Sequence, residues 1–258
     1  MKKRITLVLI FIVLIAGGVL FLQDSYSVPV LMYHRINEGA ESSRLIVSPE
    51  SFHRQMQFLN DSNYQVLSLD EYVSLLRSGE KPRKKSVVIT FDDGYEDNYT
   101  NAYPVLKKFQ IPATIFVVVG WVGKKDMMNW QQVEELQRSG LIAIESHGMT
   151  HCELIQVGKL KAKEEIETSK KILESRLNTE IKYFCYPCGF FTPFIKELTR
   201  LSGYRGACAT HPGKEIRLND EFAIRRIRIS YSADNMFIFW AQVSGYYTFF
   251  KDRRIKSH

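Results

Sequence analysis

The chain has 258 residues, 45% hydrophobic and 24% charged, which are ordinary values for a globular protein and exclude collagen, coiled coil and intrinsic disorder. Four cysteines are too few for a disulfide-rich scaffold. The formal net charge of +7 is compatible with an anionic membrane or cell wall as well as with a nucleic acid. Because nucleic-acid binders cluster their charge on one face or helix and this chain scatters it, we expect no nucleic-acid partner.

The N-terminus carries a basic stub followed by a long apolar run. Lys2, Lys3 and Arg4 precede an uncharged segment at residues 5–22. This run exceeds the about 7–15 residues of a signal-peptide core and falls within the roughly 17–25 residues that span a membrane. We therefore expect residues 1–24 to form a cytoplasmic stub and a single-pass signal anchor in the cell membrane, with the rest of the chain outside the cytoplasm. A cleaved signal peptide, which would give a secreted protein, is the alternative.

Predicted strands and helices alternate along the rest of the chain. Ser48 before Pro49 and Ser68 with Glu71 have the pattern of helix N-caps. In the helix predicted at 159–177, the inward residues are expected to be Leu160, Ile166, Leu173 and Leu177. Strands are predicted at 28–33, 87–91, 111–119, 141–145, 182–186, 204–209 and 224–229, and further helices at 97–109, 129–139, 193–201 and 234–243.

This alternation is typical of parallel β-α-β units in an α/β fold. About seven units without a flexible linker predict one (β/α) barrel over residues 25–250, followed by a basic tail at 251–258. In such barrels the chemistry lies on loops after the C-terminal ends of the strands. Polar residues directly after the predicted strands are therefore the candidates for a functional site.

Two adjacent carboxylates, Asp92 and Asp93, follow the predicted strand at 87–91. Buried carboxylates are costly without partners, which favours a functional role, although Asp-Asp-Gly is also an ordinary turn sequence. Neighbouring residues of a strand point to opposite sides. We therefore expect the two carboxylates to have different tasks rather than to bind one ion equally.

Two histidines, His147 and His151, follow the predicted strand at 141–145. In a strand they would lie about 13 Å apart, too far to share an ion. On a helical turn, made easy by Gly148, their Cβ atoms would lie roughly 5–6 Å apart. Two imidazoles and one carboxylate would give three protein ligands and an open fourth position, the pattern of catalytic zinc. His34, also after a predicted strand, is by residue type alone more typical of a packed core histidine.

Two motifs together indicate a family. The segment Thr90 to Gly94 with the segment His147 to His151 resembles the polysaccharide deacetylases of carbohydrate esterase family 4. Val28 to His34 resembles the branch that includes poly-N-acetylglucosamine deacetylases of biofilm matrices, which carries its histidine motif at the N-terminus. Tyr183 to Gly189 is similar to the third motif, and Ile224 to Ile229 to the late arginine segment. The resemblance implies a distorted barrel of about seven β/α units.

The resemblance also implies a metal site. Asp93, His147 and His151 would bind one divalent metal ion, for which zinc is the expected choice. Asp92 would be the general base and His34 the general acid.

Two further roles follow from the resemblance by position. Arg226 would support the Asp92 carboxylate, and the backbone near Tyr186 would bind the oxyanion. In the predicted strand 224–229, Arg226 and Arg228 are expected to face one side and Arg225 the other.

The implied activity is removal of N-acetyl groups from an acetylated polysaccharide, which releases acetate. A poly-N-acetylglucosamine-like substrate is the first expectation, and peptidoglycan or chitin-like oligosaccharides are alternatives within the enzyme class. A catalytically silent, membrane-tethered carbohydrate-binding domain is the alternative from another class. The sequence indicates no particular protein partner.

The cysteines depart from the family pattern at two positions. Cys188 stands where an aromatic residue is usual, and Cys152 where proline is common. Cys185-x-x-Cys188 lacks the second pair that a zinc ribbon needs, and Cys208 does not supply it. We expect small, half-buried thiols, with a disulfide as the alternative.

Overall fold

The computed structural model describes residues 26–39, 43–80, 82, 85–210 and 220–247. The predicted anchor at residues 5–22 and the basic tail at 251–258 lie outside these residues. Within the described residues, no helix is long and apolar enough to cross a membrane.

Eleven short strands are found in the described part of the chain, and nine of them form one parallel sheet. The strands are β1 (Val30–Tyr33), β2 (Arg35–Ile36), β3 (Ile46–Val47), β4 (Gln65–Leu67), β5 (Ser86–Phe91), β6 (Ala113–Val117), β7 (Ile142–Ser146), β8 (Tyr183–Cys185), β9 (Gly206–Ala209), β10 (Ile224–Arg225) and β11 (Ile227–Arg228).

Helices connect most of the strands and pack outside them. They are α1 (Pro49–Asp61), α2 (Leu69–Ser78), α3 (Tyr103–Phe109), α4 (Trp130–Arg138), α5 (Lys159–Leu177), α6 (Pro193–Leu201) and α7 (Met236–Val243). A π-helical turn (Asn98–Ala102) precedes α3, and short 3₁₀ turns lie at Val119–Trp121, Pro187–Gly189 and Tyr231–Asp234.

The sheet closes on itself through one short segment. Its strand order is β10-β9-β8-β7-β6-β5-β1-β11, and β4 pairs with the first half of β5. β10 and β11 lie at opposite ends of this order, yet only Arg226 separates them in the chain. Residues 224–228 therefore join both edges, because Ile224 pairs with Cys208 and Ile227 pairs with Leu31. The result is a nearly closed parallel barrel, and the prediction of a (β/α) barrel is confirmed at that level.

Alternate strand residues face the inside of this barrel. A small buried cluster includes Val88, Phe116, Cys185, Cys208 and Ile224, while the larger core lies between the barrel and its helices. Because side chains alternate along a strand, the inward row of β5 continues to the residue that follows it, Asp92.

The predicted helix starts are present. The Ser48 hydroxyl accepts a hydrogen bond from the Ser51 N–H, and Ser68 and Glu71 form a reciprocal capping box. These local signals depend only on nearby residues, so the sequence alone is enough to locate them.

The predicted inward face of α5 is partly wrong. Ile166 and Leu173 are buried, Leu177 is half-buried, and Leu160 is 86% exposed. The buried face also includes polar residues, above all Glu165. The apolar pattern missed this face because its polar residues bind other parts of the barrel.

Candidate active site

The C-terminal ends of β1, β5 and β7 bring the predicted site residues together. His34 follows β1, Asp92 and Asp93 follow β5, and His147 follows β7. All three strands are parallel and pair in one sheet, so their ends meet at one mouth of the barrel. Arg226 reaches the same place from the segment that closes the barrel.

Asp93 faces both histidines. Its Oδ1 atom lies 3.5 Å from His147 Nε2 and 3.4 Å from His151 Nε2. One ligand atom from each of the three residues lies within 4.8 Å of the other two. Asp93 Oδ1 is buried and has no hydrogen-bond partner among the described residues. An ionised oxygen without a donor, facing two imidazole nitrogens, fits a divalent cation of the kind that nitrogen and oxygen ligands bind.

The ring orientation of His147 supports this fit. Its Nδ1 lies 2.8 Å from the carbonyl oxygen of Cys185, a geometry in which Nδ1–H donates and Nε2 keeps its lone pair toward Asp93. Histidines that bind metals commonly have such a partner on the second nitrogen. In the metal-free protein, burial raises the pKa of Asp93, but the neighbouring imidazoles, when protonated, outweigh burial and the net pKa is lowered, so the carboxylate is ionised.

The histidine pair does not lie on a helical turn, contrary to the prediction. Residues 147–151 form an irregular loop in which Gly148 has φ +81° and His151 has φ +62°. These two left-handed residues reverse the chain and bring the ring centroids of His147 and His151 to 4.9 Å. The spacing of the two histidines correctly predicted that their rings lie close together. The backbone conformation of the loop was not predictable, because it depends on contacts with distant elements.

A bidentate ion pair joins Asp92 to Arg226. Arg226 Nη1 and Nη2 donate to Asp92 Oδ1 and Oδ2 at 2.6 and 2.7 Å, and both side chains are buried. Burial raises the pKa of Asp92, but the Arg226 guanidinium outweighs burial and holds it well below its usual range. The Asp92 carboxylate is therefore ionised and fixed in position.

The two adjacent carboxylates have different partners, as expected, but strand alternation is not the reason. Asp92 continues the inward row of β5, whereas Asp93 has φ +73° and has left the extended conformation. This turn lets both side chains reach the mouth of the barrel, Asp92 toward Arg226 and Asp93 toward the histidines.

His34 lies beside Asp92, with its Nε2 4.0 Å from Asp92 Oδ2. Burial lowers the pKa of His34, and the neighbouring Asp92 carboxylate only partly opposes that effect. The backbone around His34 is held by Asn98, which donates to the His34 carbonyl, and by Asp97, which accepts from Arg35 Nε and the Ile36 N–H.

The predicted facing of the arginines in 224–229 is wrong for Arg228. The two side chains were expected on one side of the strand. Arg226 is buried inside the barrel, whereas Arg228 is exposed to solvent. The reason is that the chain changes partner strands at Arg226, which interrupts the regular alternation.

That the backbone near Tyr186 binds the oxyanion stays a prediction, and the structure shows only how Tyr186 itself is bound. The Tyr186 N–H donates to the Cys208 carbonyl at 3.0 Å, so it is already committed to the barrel. The Tyr186 hydroxyl donates to the Phe222 carbonyl, and its buried ring stacks on Phe191. The N–H, hydroxyl and ring of Tyr186 therefore all have partners within the barrel.

Two residues at the site were missed in the sequence. The Thr90 hydroxyl accepts from Arg226 Nη1 and donates to the Leu31 carbonyl, and the Cys185 thiol lies 3.0 Å from Arg226 Nη2. Thr90 shares the inward row of Asp92, which is the signal that could have identified it.

The four cysteines are free thiols: Cys185 and Cys208 are buried, Cys152 half-buried and Cys188 exposed.

A second group of ligand atoms, from Asp92, His147 and Cys185, is equally compact. It is a poorer cation site, because both Asp92 oxygens already accept from Arg226 and the Cys185 sulfur touches the same guanidinium. A metal ion there would lie next to a fixed positive charge. In the part of the chain that the structure describes, no lysine or arginine forms an ion pair with Asp93.

Sequence comparison relates the chain to known polysaccharide deacetylases. Residues 79–207 match the profile of the family described as polysaccharide deacetylase. YxkH of Bacillus subtilis, a protein assigned to the polysaccharide deacetylases, is 36% identical over 202 residues, which cover 78% of this chain and 71% of that protein. The poly-beta-1,6-N-acetyl-D-glucosamine N-deacetylase of Staphylococcus aureus is 27% identical over 228 residues, covering 78% of each chain.

A solved structure is also similar. The deacetylase PplD of Streptococcus pyogenes, in complex with acetate, superposes with a TM-score of 0.74 and 31% sequence identity. The match covers 81% of this chain and 93% of that one.

Proposed function

The chain belongs to the polysaccharide deacetylase family, and from this premise we propose that it is a metal-dependent hydrolase acting on a poly-N-acetylglucosamine-like polymer. As a member of that family the chain is a carbohydrate N-deacetylase. The observation that carries the proposal is the Asp93, His147 and His151 group beside the Asp92–Arg226 ion pair. Metal dependence and the identity of the polymer are the parts that we propose.

Asp93, His147 and His151 would hold the metal ion in this proposal. An ion bound by these three side chains would polarise the acetyl carbonyl and lower the pKa of water, which makes attack on an unreactive amide feasible near neutral pH. The buried Asp93 oxygen and the fixed His147 ring are the features of this chain that support the assignment. Zinc is the ion that this ligand set suits best.

Asp92 would act as the general base and take a proton from the attacking water. Its carboxylate is ionised in the free protein, and Arg226 holds both oxygens in place. The ion pair makes Asp92 a weak base, but it also fixes the acceptor where the proton must go. Arg226 serves as a positioning residue in this scheme.

His34 would donate a proton to the leaving amine, for which it must be protonated in the substrate complex although burial lowers its pKa in the free protein. The acetamide C–N bond breaks as the new C–O bond to the acetyl carbon is completed, and acetate and a free amino sugar are released. An amide nitrogen is a poor leaving group unless it is protonated, so an acid is needed at this step. His34 Nε2 lies 4.0 Å from Asp92 Oδ2, so the proposed acid and base belong to the same mouth of the barrel.

The proposed substrate rests on the relatives and on the place of His34 in the chain. The Staphylococcus aureus relatives are named as deacetylases of poly-beta-1,6-N-acetyl-D-glucosamine. In this chain, as in the branch that includes such enzymes, the histidine motif precedes the Asp-Asp pair.

A substrate panel tests this proposal. Acetate release by the full chain is measured on β-1,6-linked N-acetylglucosamine oligomers, chitin oligomers of equal length and peptidoglycan, each with and without a chelator. We expect the fastest release from the β-1,6-linked oligomers and its loss with the chelator. Faster release from chitin or peptidoglycan would overturn the substrate assignment.

A further inference from the structure

The loop that carries both histidines has little structure of its own. Residues 147–151 form no helix or strand, and His151 adopts φ +62°. The His147 ring is fixed by the Cys185 carbonyl. Within the described residues, the His151 ring faces Asp93, His147 and Trp121, whose ring centroid lies 5.1 Å away. The position of His151 therefore depends on what holds the loop backbone.

One buried side chain, Glu165 on α5, holds that backbone. Glu165 Oε2 accepts from the N–H groups of Met149 and Thr150 at 2.9 and 2.8 Å, and Oε1 accepts from the Thr150 hydroxyl at 2.9 Å. Lys161 Nζ lies 3.4 Å from the same carboxylate. The residue is fully buried, and a buried carboxylate is tolerated only when its oxygens are satisfied in this way.

The opposite side of the loop is held by backbone. The N–H groups of Val119 and Gly120 donate to the carbonyls of Gly148 and Met149 at 3.0 and 2.8 Å. A Cβ at Gly120 would lie 2.5 Å from the Met149 carbonyl oxygen, so only glycine allows this approach without a shift. The loop is thus fixed between the turn after β6 and the Glu165 carboxylate.

We propose that Glu165 is a positioning residue for metal binding: it sets the loop so that His151 Nε2 stays in reach of Asp93 and His147. The inference rests on the metal site proposed above. Glu165 touches neither the ligands' ring nitrogens nor the Asp92–Arg226 pair, so its effect on the ion must pass through the Met149 and Thr150 backbone. Mutation of polar side chains that hold the metal ligands in place, without binding the metal themselves, typically lowers metal affinity by about 10- to 100-fold.

The test measures the dissociation constant for Zn²⁺ by competition with a chromophoric chelator, using the full chain. Glu165→Ala should weaken Zn²⁺ binding by about 10- to 100-fold. Glu165→Gln keeps an oxygen for the two N–H groups and should bind within a few-fold of the unaltered protein. Glu164→Ala is the matched control, because Glu164 lies next in sequence, is exposed and also contacts Lys161.

Folding is followed by circular dichroism and thermal melting. If Glu165→Ala does not fold, Glu165→Asp replaces it, because it keeps the charge but withdraws the carboxylate from the loop, and weaker Zn²⁺ binding is again expected. Equal Zn²⁺ affinity in the unaltered protein and in a folded Glu165→Ala or Glu165→Asp variant would overturn the positioning role alone. Absence of Zn²⁺ binding by the unaltered protein would instead overturn the metal assignment, and the role of Glu165 with it.

Discussion

The two carboxylates after β5 are neighbours in sequence but have different electrostatic partners. Asp92 is bound on both oxygens by Arg226, whereas Asp93 faces two imidazoles and keeps a buried oxygen without a hydrogen-bond donor among the described residues. A carboxylate bound on both oxygens by a guanidinium is ionised and fixed in position, which suits a positioned proton acceptor. A buried carboxylate oxygen that lacks a donor is suited to a cation.

Removing the Arg226 charge should change the pH dependence of the reaction. In Arg226→Gln the pKa of Asp92 should rise, because burial then acts without the opposing positive charge. The base is active when ionised, so the acid limb of the kcat/KM profile should move to higher pH. Arg228→Gln, at an exposed arginine nearby in the chain, is the control and should leave the limb unchanged. An acid limb that stays in place in Arg226→Gln would contradict the pairing of Arg226 with the catalytic base.

Loss of His34 should affect amides more than activated esters. His34→Asn should lower kcat on an acetylated amino sugar by about 10²- to 10⁴-fold, the usual contribution of general acid catalysis. An aryl acetate, whose leaving group needs no proton, should lose much less. The measurement is the ratio of the two losses, with Zn²⁺ content as the control for an intact site. Equal, small losses on both substrates would leave His34 a packing residue.

At the scale of secondary structure, the local signals were the reliable ones. Neighbouring residues determine a helix cap, so the sequence was enough to predict the caps at Ser48 and Ser68 and the helix α6 (Pro193–Leu201). The histidine loop could not, since Glu165 and Gly120 hold it from distant parts of the chain. Glu165 itself gave no signal, because a glutamate in a charged helix is usually solvent-exposed. The sequence also could not show that the predicted strand at 224–229 is interrupted at Arg226, because the interruption depends on which strands pair.

The capping box of α2 offers a prediction about a single element. Ser68→Ala should lower the free energy of unfolding by about 0.5–2 kcal/mol, because it removes the hydroxyl that accepts from the Glu71 N–H. Ser74→Ala, in the exposed middle of the same helix, should change it little. Urea unfolding of both variants provides the comparison. A Ser68→Ala variant as stable as Ser74→Ala would contradict the contribution of the cap.

At the scale of the whole molecule, barrel closure and the site depend on the same segment. Residues 224–228 join the two edges of the sheet and also carry Arg226 into the mouth of the barrel. The sequence predicted a barrel of alternating units, but it could not show that the last predicted strand is split between two partners. That split follows from the geometry of closing the sheet.

The predicted anchor at residues 5–22 would determine where the whole chain is located in the cell. We expect the full chain in the membrane fraction, with the barrel outside the cytoplasm, because the apolar run is long enough to span the bilayer. A variant that lacks residues 1–25 should move to the soluble fraction and keep its deacetylase activity. Recovery of a soluble form of the unaltered chain that starts near residue 19 would show cleavage and contradict the anchor.

The most direct test of the central claim is acetate release as a function of bound Zn²⁺. The full chain is freed of metal with a chelator, and Zn²⁺ is then added stepwise while acetate release from β-1,6-linked N-acetylglucosamine oligomers is measured. We predict that release is lost without metal and restored in full at one Zn²⁺ per chain, and that His151→Ala is not restored at that ratio. Undiminished acetate release by the metal-free chain would contradict the account.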